Sequence, residues 1–274
     1  MQDKVNEYNV MQMLRLNNQV ALVTGGARNL GFDMALALAE AGADVAITSR
    51  SLDRAAESSR KIAELTGRKV VPYQLDVRYE DQVIRVVDQV LADFGRIDIL
   101  VNNAGNVVST PENNGLERRP LEEWQNTIDV NLTGVFLCSK HVVARAMKPA
   151  KRGVIINLGS TAGMIGKDRR VYRGTNMGGV TIDYEAAKAG VINMTRDMAC
   201  HLAPDGIRVN CISPAGFWRG QPEAFVKAYS ETIPMGRMGM DGKEIKGAVV
   251  FLASEAASFI TGVNLPVDGG LTAW

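Results

Sequence analysis

Gln19-Val20-Ala21-Leu22-Val23-Thr24-Gly25-Gly26-Ala27-Arg28-Asn29-Leu30-Gly31 decides the fold. An apolar run rich in valine stops at a glycine turn. A helical pattern then carries Met34, Leu36, Leu38 and Ala39 and ends at Gly42. A run that is apolar on both faces suits a parallel sheet covered by helices on both sides. A turn without side chains lets backbone N–H groups approach a pyrophosphate, and the helix start adds partial positive charge. Taken alone, the turn is a weak signal, and a tight bend that binds nothing is the lesser alternative.

The same alternation runs outward along the chain. Strands are expected at Gln19–Thr24, Asp44–Thr48, Lys69–Tyr73, Ile97–Val101, Gly153–Leu158, Ile207–Ile212 and Val263–Val267. Helices are expected at Leu30–Ala41, Leu52–Leu65, Glu80–Phe94, Leu121–Met147 (ending before Pro149), Ile182–Leu202 and Gly242–Ala253. Repeated strand–helix–strand units imply right-handed crossovers and one doubly wound parallel sheet of the α/β class. No linker or repeat divides the chain. We expect one dinucleotide-binding catalytic domain over residues 16–274, preceded by an arm, Met1–Arg15.

The end of the second strand reads Thr48-Ser49-Arg50. A site for NAD commonly puts a carboxylate here, against the ribose 2′-hydroxyl. Ser49 is neutral, and Arg50 and the turn's Arg28 offer planar donor forks suited to a 2′-phosphate. NADP(H) is therefore the expected cofactor. The alternative is a pair of solvated surface arginines.

Composition narrows the partners. The 274 residues hold 31 basic and 30 acidic side chains, for a formal charge of +1, which favours neither nucleic acid nor an anionic membrane. Cys138, Cys200 and Cys211 match no disulfide or zinc spacing, and two histidines argue against a histidine metal site. The N-terminus lacks a secretory apolar region and no run is long enough to span a bilayer, so a cytoplasmic protein with a small-molecule substrate is expected.

Further motifs follow in order. Asp76 stands in Leu75-Asp76-Val77, Asn102-Asn103-Ala104-Gly105 follows the fourth strand, and Asn131 lies in Asp129-Val130-Asn131. Ser160 follows the fifth strand, Tyr184 and Lys188 are four apart on a helix, Pro214-Ala215-Gly216 follows the sixth strand, and Asp268-Gly269-Gly270 lies near the end. In this order the chain resembles the short-chain dehydrogenase/reductase family over about residues 16–274. The resemblance implies a catalytic set of Asn131, Ser160, Tyr184 and Lys188. It implies cofactor contacts from Gly25, Arg28, Asn29, Leu30, Gly31, Ser49, Arg50, Asp76, Val77, Asn103, Ala104, Gly105, Tyr184, Lys188, Pro214, Gly216 and Phe217. It further implies that Lys188 grips the nicotinamide ribose, that Asn131 supports a water relay, and that the chain forms a homotetramer.

The chemistry can be argued beside the resemblance. A free Tyr has a pKa near 10, and an ammonium on the same helix face is expected to lower it. Tyr184 could then take a proton from an alcohol or give one to a ketone, with the Ser160 hydroxyl holding the reacting oxygen. Asn131 could instead satisfy only a backbone group, and Asp76 could cap the next element rather than touch adenine. Tyr172, 12 residues after Ser160, competes with Tyr184, 24 residues after it. Position 176 is Asn, so Tyr172 lacks an ammonium partner, and Tyr184 is preferred.

Three departures matter. Asn29 replaces the usual middle glycine of the turn but tolerates positive φ. Ala215 replaces a common glycine after Pro214. The segment Met164–Asp183 is longer than the resemblance implies and holds Lys167, Asp168, Arg169, Arg170, Tyr172 and Arg173. A basic loop here could select an anionic substrate, or it could be a solvated or subunit-contacting face. Arg208–Pro214, Gln221–Phe225 and Gly269–Trp274 resemble the gluconate 5-dehydrogenase-like branch, which implies a sugar, polyol or sugar-acid substrate. Phe217, Trp218 and Tyr229 could form a lid that excludes water, or ordinary packing. The runner-up substrate is a 3-oxoacyl thioester or other hydrophobic ketone. A catalytically inactive nucleotide-binding regulator is the alternative from another class.

Overall fold

The computed structural model describes residues 9–274. A short helix, α1 (Val10–Met13), lies within the expected arm, of which residues 1–8 fall outside the description. The first half then alternates β1 (Val20–Val23), α2 (Asn29–Glu40), β2 (Asp44–Ser49), α3 (Leu52–Thr66), β3 (Val70–Gln74), α4 (Glu80–Phe94) and β4 (Ile99–Asn102). The second half runs α5 (Leu121–Ile128), α6 (Gly134–Val142), α7 (Lys148–Ala150), β5 (Gly153–Leu158), α8 (Ile182–Leu202), β6 (Ile207–Pro214), β7 (Phe217–Trp218), α9 (Glu223–Ser230), β8 (Gly239–Met240), α10 (Glu244–Ala253) and β9 (Asn264–Val267).

Seven strands form one sheet in the order β3-β2-β1-β4-β5-β6-β9, every pair parallel. The order reverses direction beside β1, between it and β4, so a crevice opens at the strands' C-terminal ends there. Alternate residues of each strand feed two cores. Ala21, Val23, Val45, Ile47, Ile99, Val101 and Ile156 meet Met34 and Leu38 of α2 and Val249 of α10. Leu22, Ala46, Leu100, Ile155 and Val209 meet α4, α6 and α8 on the other face. Burial on both faces is why these strands read as unbroken apolar runs.

The expected helix at Leu121–Met147 continues past its expected end. It is interrupted at two wide turns, where the Gly134 N–H bonds to the Asp129 carbonyl and the Lys148 N–H to the Val143 carbonyl. Pro149 does not end it, because it occupies the first turn of α7, where no N–H is needed. β6 runs to Pro214, two residues beyond expectation. Helix α9 and the two-residue strands β7 and β8 were not expected.

Candidate active site

The glycine turn is built from its neighbours. Gly25 has φ +64°, and Asn29 has φ +51°, the left-handed conformation its side chain tolerates. A Cβ on Gly31 would collide with the Gly25 carbonyl and the Asn103 amide, so this close approach requires glycine. Asn103 Nδ2 donates to the Thr24 and Gly25 carbonyls at 2.8 and 3.1 Å. Thr24 Oγ1 accepts from the Asn103 and Ala104 N–H groups, each at 3.0 Å. Thr24 and Asn103 thus staple β1 to β4, and the start of α2 faces the crevice.

That crevice is a cleft of about 640 Å³. Of the expected cofactor residues, Gly25, Arg28, Asn29, Leu30, Gly31, Ser49, Arg50, Asp76, Val77, Asn103, Ala104, Gly105, Tyr184, Lys188 and Pro214 line it. Gly216 and Phe217 do not. The Gly216 N–H is taken by Tyr229 Oη at 2.9 Å, and Phe217 is buried in the core. Arg54, Asn106 and Arg219 also line the cleft and were missed. Arg54 lies in the first turn of α3, four residues after Arg50.

Arg28, Arg50 and Arg54 surround the Ser49 end of the cleft, exposed and free of ion pairs in the described structure. Asp76, the acid that lines the cleft, is engaged elsewhere. Burial pushes its carboxyl up, but the bidentate Arg78 guanidinium outweighs this and holds it below the ordinary value. Its Oδ1 also accepts from the Arg78 N–H at 3.2 Å, so it closes a local turn while lining the cleft. A cleft lined by the start of α2 and by these three arginines fits an extended dinucleotide.

At the other end stand the expected catalytic residues. α8 brings Tyr184 and Lys188 to the cleft, with Lys188 Nζ 5.6 Å from the Tyr184 ring centroid. Lys188 is buried and donates to the Leu158 carbonyl at 2.7 Å. Burial pulls its ammonium down to about 8. Burial pushes the Tyr184 phenol above its ordinary value, and Ser160, two residues beyond β5, contacts the phenol and offsets this only in part. The expected lowering by the ammonium does not arise here: the ammonium is directed at a carbonyl rather than at the phenol oxygen. Tyr172 lies away from this group, stacked on Phe225 at 5.3 Å between centroids.

Asn131 sits in the wide turn at Asp129–Thr133, a local irregularity often found at functional sites. Its Nδ2 donates to the Thr127 carbonyl at 3.0 Å and the Asn106 carbonyl at 2.9 Å. Its Oδ1 is buried in the cleft wall with no partner. One half of the amide thus satisfies backbone, and the other half is left to accept a proton donor within the site. Beneath, Asn102 Nδ2 donates to Ser139 Oγ and Asn157 Oδ1, and Asn157 Nδ2 donates to Thr195 Oγ1, each at 2.9 Å. These bonds tie α6 and α8 to the sheet below the catalytic groups.

The long segment 164–183 packs beside Thr161 and α9. Tyr172, Phe225 and Tyr229 stack in series, docking it on α9. Asn114 Nδ2 donates to the Gly178 carbonyl, joining it to the loop after β4. Its charge is partly neutralised, because Arg170 pairs with Asp168 at 2.7 Å. Lys167 turns inward to Thr161 Oγ1 at 2.7 Å, and burial lowers its amine to about 8 against the pull of Glu185 and Asp268. Of the three candidate lid aromatics, Phe217 and Tyr229 are buried and Trp218 is 57% exposed.

Residues 25–272 match a family model described as enoyl-(acyl carrier protein) reductase. The chain is 39% identical to a 3-oxoacyl-[acyl-carrier-protein] reductase of Synechocystis, covering 94% of this chain and 99% of the relative. Among solved structures, a gluconate 5-dehydrogenase from Burkholderia cenocepacia in complex with NADP and tartrate is similar with TM-score 0.86 at 33% identity. That match covers 97% of this chain and 100% of the other. A short-chain type dehydrogenase/reductase from Mycobacterium marinum is similar with TM-score 0.86 at 36% identity, with coverages of 97% and 100%. Among the described residues, no helix is long and apolar enough to cross a membrane.

Proposed function

The chain belongs to the short-chain dehydrogenase/reductase family, and on that premise we propose that it is a cytoplasmic, NADP(H)-dependent oxidoreductase acting on a secondary alcohol or ketone of sugar, polyol or sugar-acid type. The observation that carries this reading is the juxtaposition of Tyr184, Lys188 and Ser160 at one end of a cleft whose other end presents three unpaired arginines. A bound nicotinamide supplies or accepts the hydride. Tyr184 holds the proton that goes to, or comes from, the substrate oxygen, and Ser160 orients that oxygen. In this reading Lys188 holds the cofactor's ribose and passes the proton onward, and Asn131 Oδ1 holds a relay water. The tartrate in the gluconate 5-dehydrogenase complex makes a hydroxy acid a reasonable substrate class, and Lys167 offers a cation on the substrate side. A 3-oxoacyl thioester is the second reading, favoured by the name of the Synechocystis relative. A homotetramer is the expected assembly.

The direct test is a panel of sugar acids, polyols and 3-oxoacyl thioesters with NADP⁺/NADPH and NAD⁺/NADH, followed by nicotinamide absorbance. NADP(H) is expected to win, and Arg50→Ala to lower kcat/KM for NADP(H) about tenfold through loss of a charge-assisted contact, leaving the NAD(H) value little changed. A wild type that prefers NAD(H) overturns the cofactor assignment.

The pH dependence has a stated sign. Ketone reduction needs Tyr184 protonated and Lys188 charged, and rising pH removes both. Because burial brings Lys188 down to about 8, kcat/KM for reduction is expected to decline above pH of about 8. A profile flat to pH of about 10, the ordinary lysine range, contradicts the role given to Lys188.

A further inference from the structure

Arg219 joins two hollows. It lines the dinucleotide cleft beside Pro214, Arg28 and Asn29, and it also lines an open groove of about 720 Å³ with Trp218, Met238 and Met240. Its guanidinium is turned to the groove, where Nη2 lies 2.5 Å from Asp241 Oδ1. The backbone presents it there. The Arg219 N–H donates to Gln221 Oε1 at 2.6 Å, and Gln221 Nε2 donates back to the Phe217 carbonyl at 2.8 Å. β7 pairs with β8, bringing Asp241 opposite. The next residue, Gly242, donates its N–H to Asp33 Oδ2 at 3.0 Å, and Asp33 lies in α2 just beyond the Gly31 cradle. The residue that follows Asp241 is thus tied to α2.

The two partners are about equally open, with 31% and 35% of their side-chain surfaces exposed. An ion pair this exposed is weak, because water screens it and two long side chains must be held. Gly220, at φ +77° with open space around it, gives the segment a pivot on the far side of Arg219. A pyrophosphate in the cleft, beside the start of α2, offers the guanidinium a fixed anion with two free oxygens on each phosphorus, the geometry arginine binds best. Arg219 follows Pro214 in the chain, whereas the arginines given to the 2′-phosphate end are Arg28, Arg50 and Arg54.

We propose that Arg219 is a latch: it rests on Asp241 and, when the dinucleotide binds, transfers to the phosphate on the nicotinamide side, drawing residues 217–220 over the cofactor. The inference rests on the dinucleotide reading of the cleft. Asp241 competes with the cofactor for the same guanidinium, so the two residues have opposite effects on affinity.

The test is calorimetric binding of NADP⁺ and of 2′,5′-ADP, which lacks the nicotinamide-side phosphate. Arg219→Gln is expected to raise the NADP⁺ Kd about tenfold or more, the size of a charge-assisted contact, and to leave 2′,5′-ADP unchanged. Asp241→Asn is expected to tighten NADP⁺ and not 2′,5′-ADP. An unchanged NADP⁺ Kd in Arg219→Gln overturns the latch. So does equal weakening of both ligands, or an Asp241→Asn variant that weakens NADP⁺ as Arg219→Gln does. If the wild type binds 2′,5′-ADP no better than 5′-AMP, the NADP assignment fails on its own. NAD⁺ against 5′-AMP then tests the latch with the same variants and the same outcomes.

Discussion

Tyr184→Phe is expected to lower kcat by about 10²- to 10⁴-fold, the range a positioned acid/base contributes, with the NADP⁺ Kd within about twofold of wild type. The phenol oxygen is the only atom removed, and it is the group that Ser160 contacts and that faces the cleft beside Lys188. The ring that Lys188 packs against stays, so the cofactor end should not notice the change. Tyr172→Phe is the control. Tyr172 belongs to the aromatic stack with Phe225, so its oxygen is expected to matter little for turnover. Burial raises the Tyr172 phenol to about 12, far from the range useful for proton transfer at neutral pH. Retained turnover in Tyr184→Phe would move the chemistry away from α8. The ligand-free phenol already stands above its ordinary pKa, so any activation of Tyr184 as a base must come with the cationic cofactor rather than from Lys188 alone.

Arg119→Met is expected to destabilise the fold by about 3–5 kcal/mol, because it leaves a buried carboxylate without its counter-ion. Arg119 Nη2 lies 2.5 Å from Asp183 Oδ2, with side-chain exposures of 3% and 0%. The guanidinium also pairs with Glu123 and donates to the Val108 carbonyl at 2.9 Å. One arginine therefore ties the loop after β4 and helix α5 to the first turn of α8, one residue before Tyr184. Urea unfolding checks the stability, and a fall in kcat alongside it is expected from loosened placement of Tyr184. A cost below about 1 kcal/mol, the size of an exposed pair, would show that the pair is open to water in solution. The pH response of the wild type has a fixed direction. Burial pushes the Asp183 carboxyl up, but Arg119, Thr181 and Thr127 outweigh it and hold it below the ordinary value. A depressed folded pKa means its contribution is present above about pH 4, the unfolded value, and is lost as the pH falls below it.

Local pattern was enough for the sheet and its order of elements. β5, α4 and α8 match their expected bounds, since the apolar run of a buried strand, the glycine stop after α4 and the proline after α8 are written in neighbouring residues. The Gly25–Gly31 turn, Arg50 beside a neutral Ser49, and the spacing of Tyr184 and Lys188 were readable for the same reason: each is a property of residues within one helical turn or one bend. Folding supplied what depends on partners far apart in the chain. Arg219 meets Asp241, Arg119 meets Asp183, Asn131 leaves one amide oxygen bare, and Lys188 points at the Leu158 carbonyl. A hydrogen bond or desolvation depends on which atoms arrive within a few ångströms. Only the closed packing of strands and helices sets that distance, so spacing could nominate Asn131 and Lys188 without telling which way each would face, and it gave no sign of the Arg219–Asp241 or Arg119–Asp183 pairs.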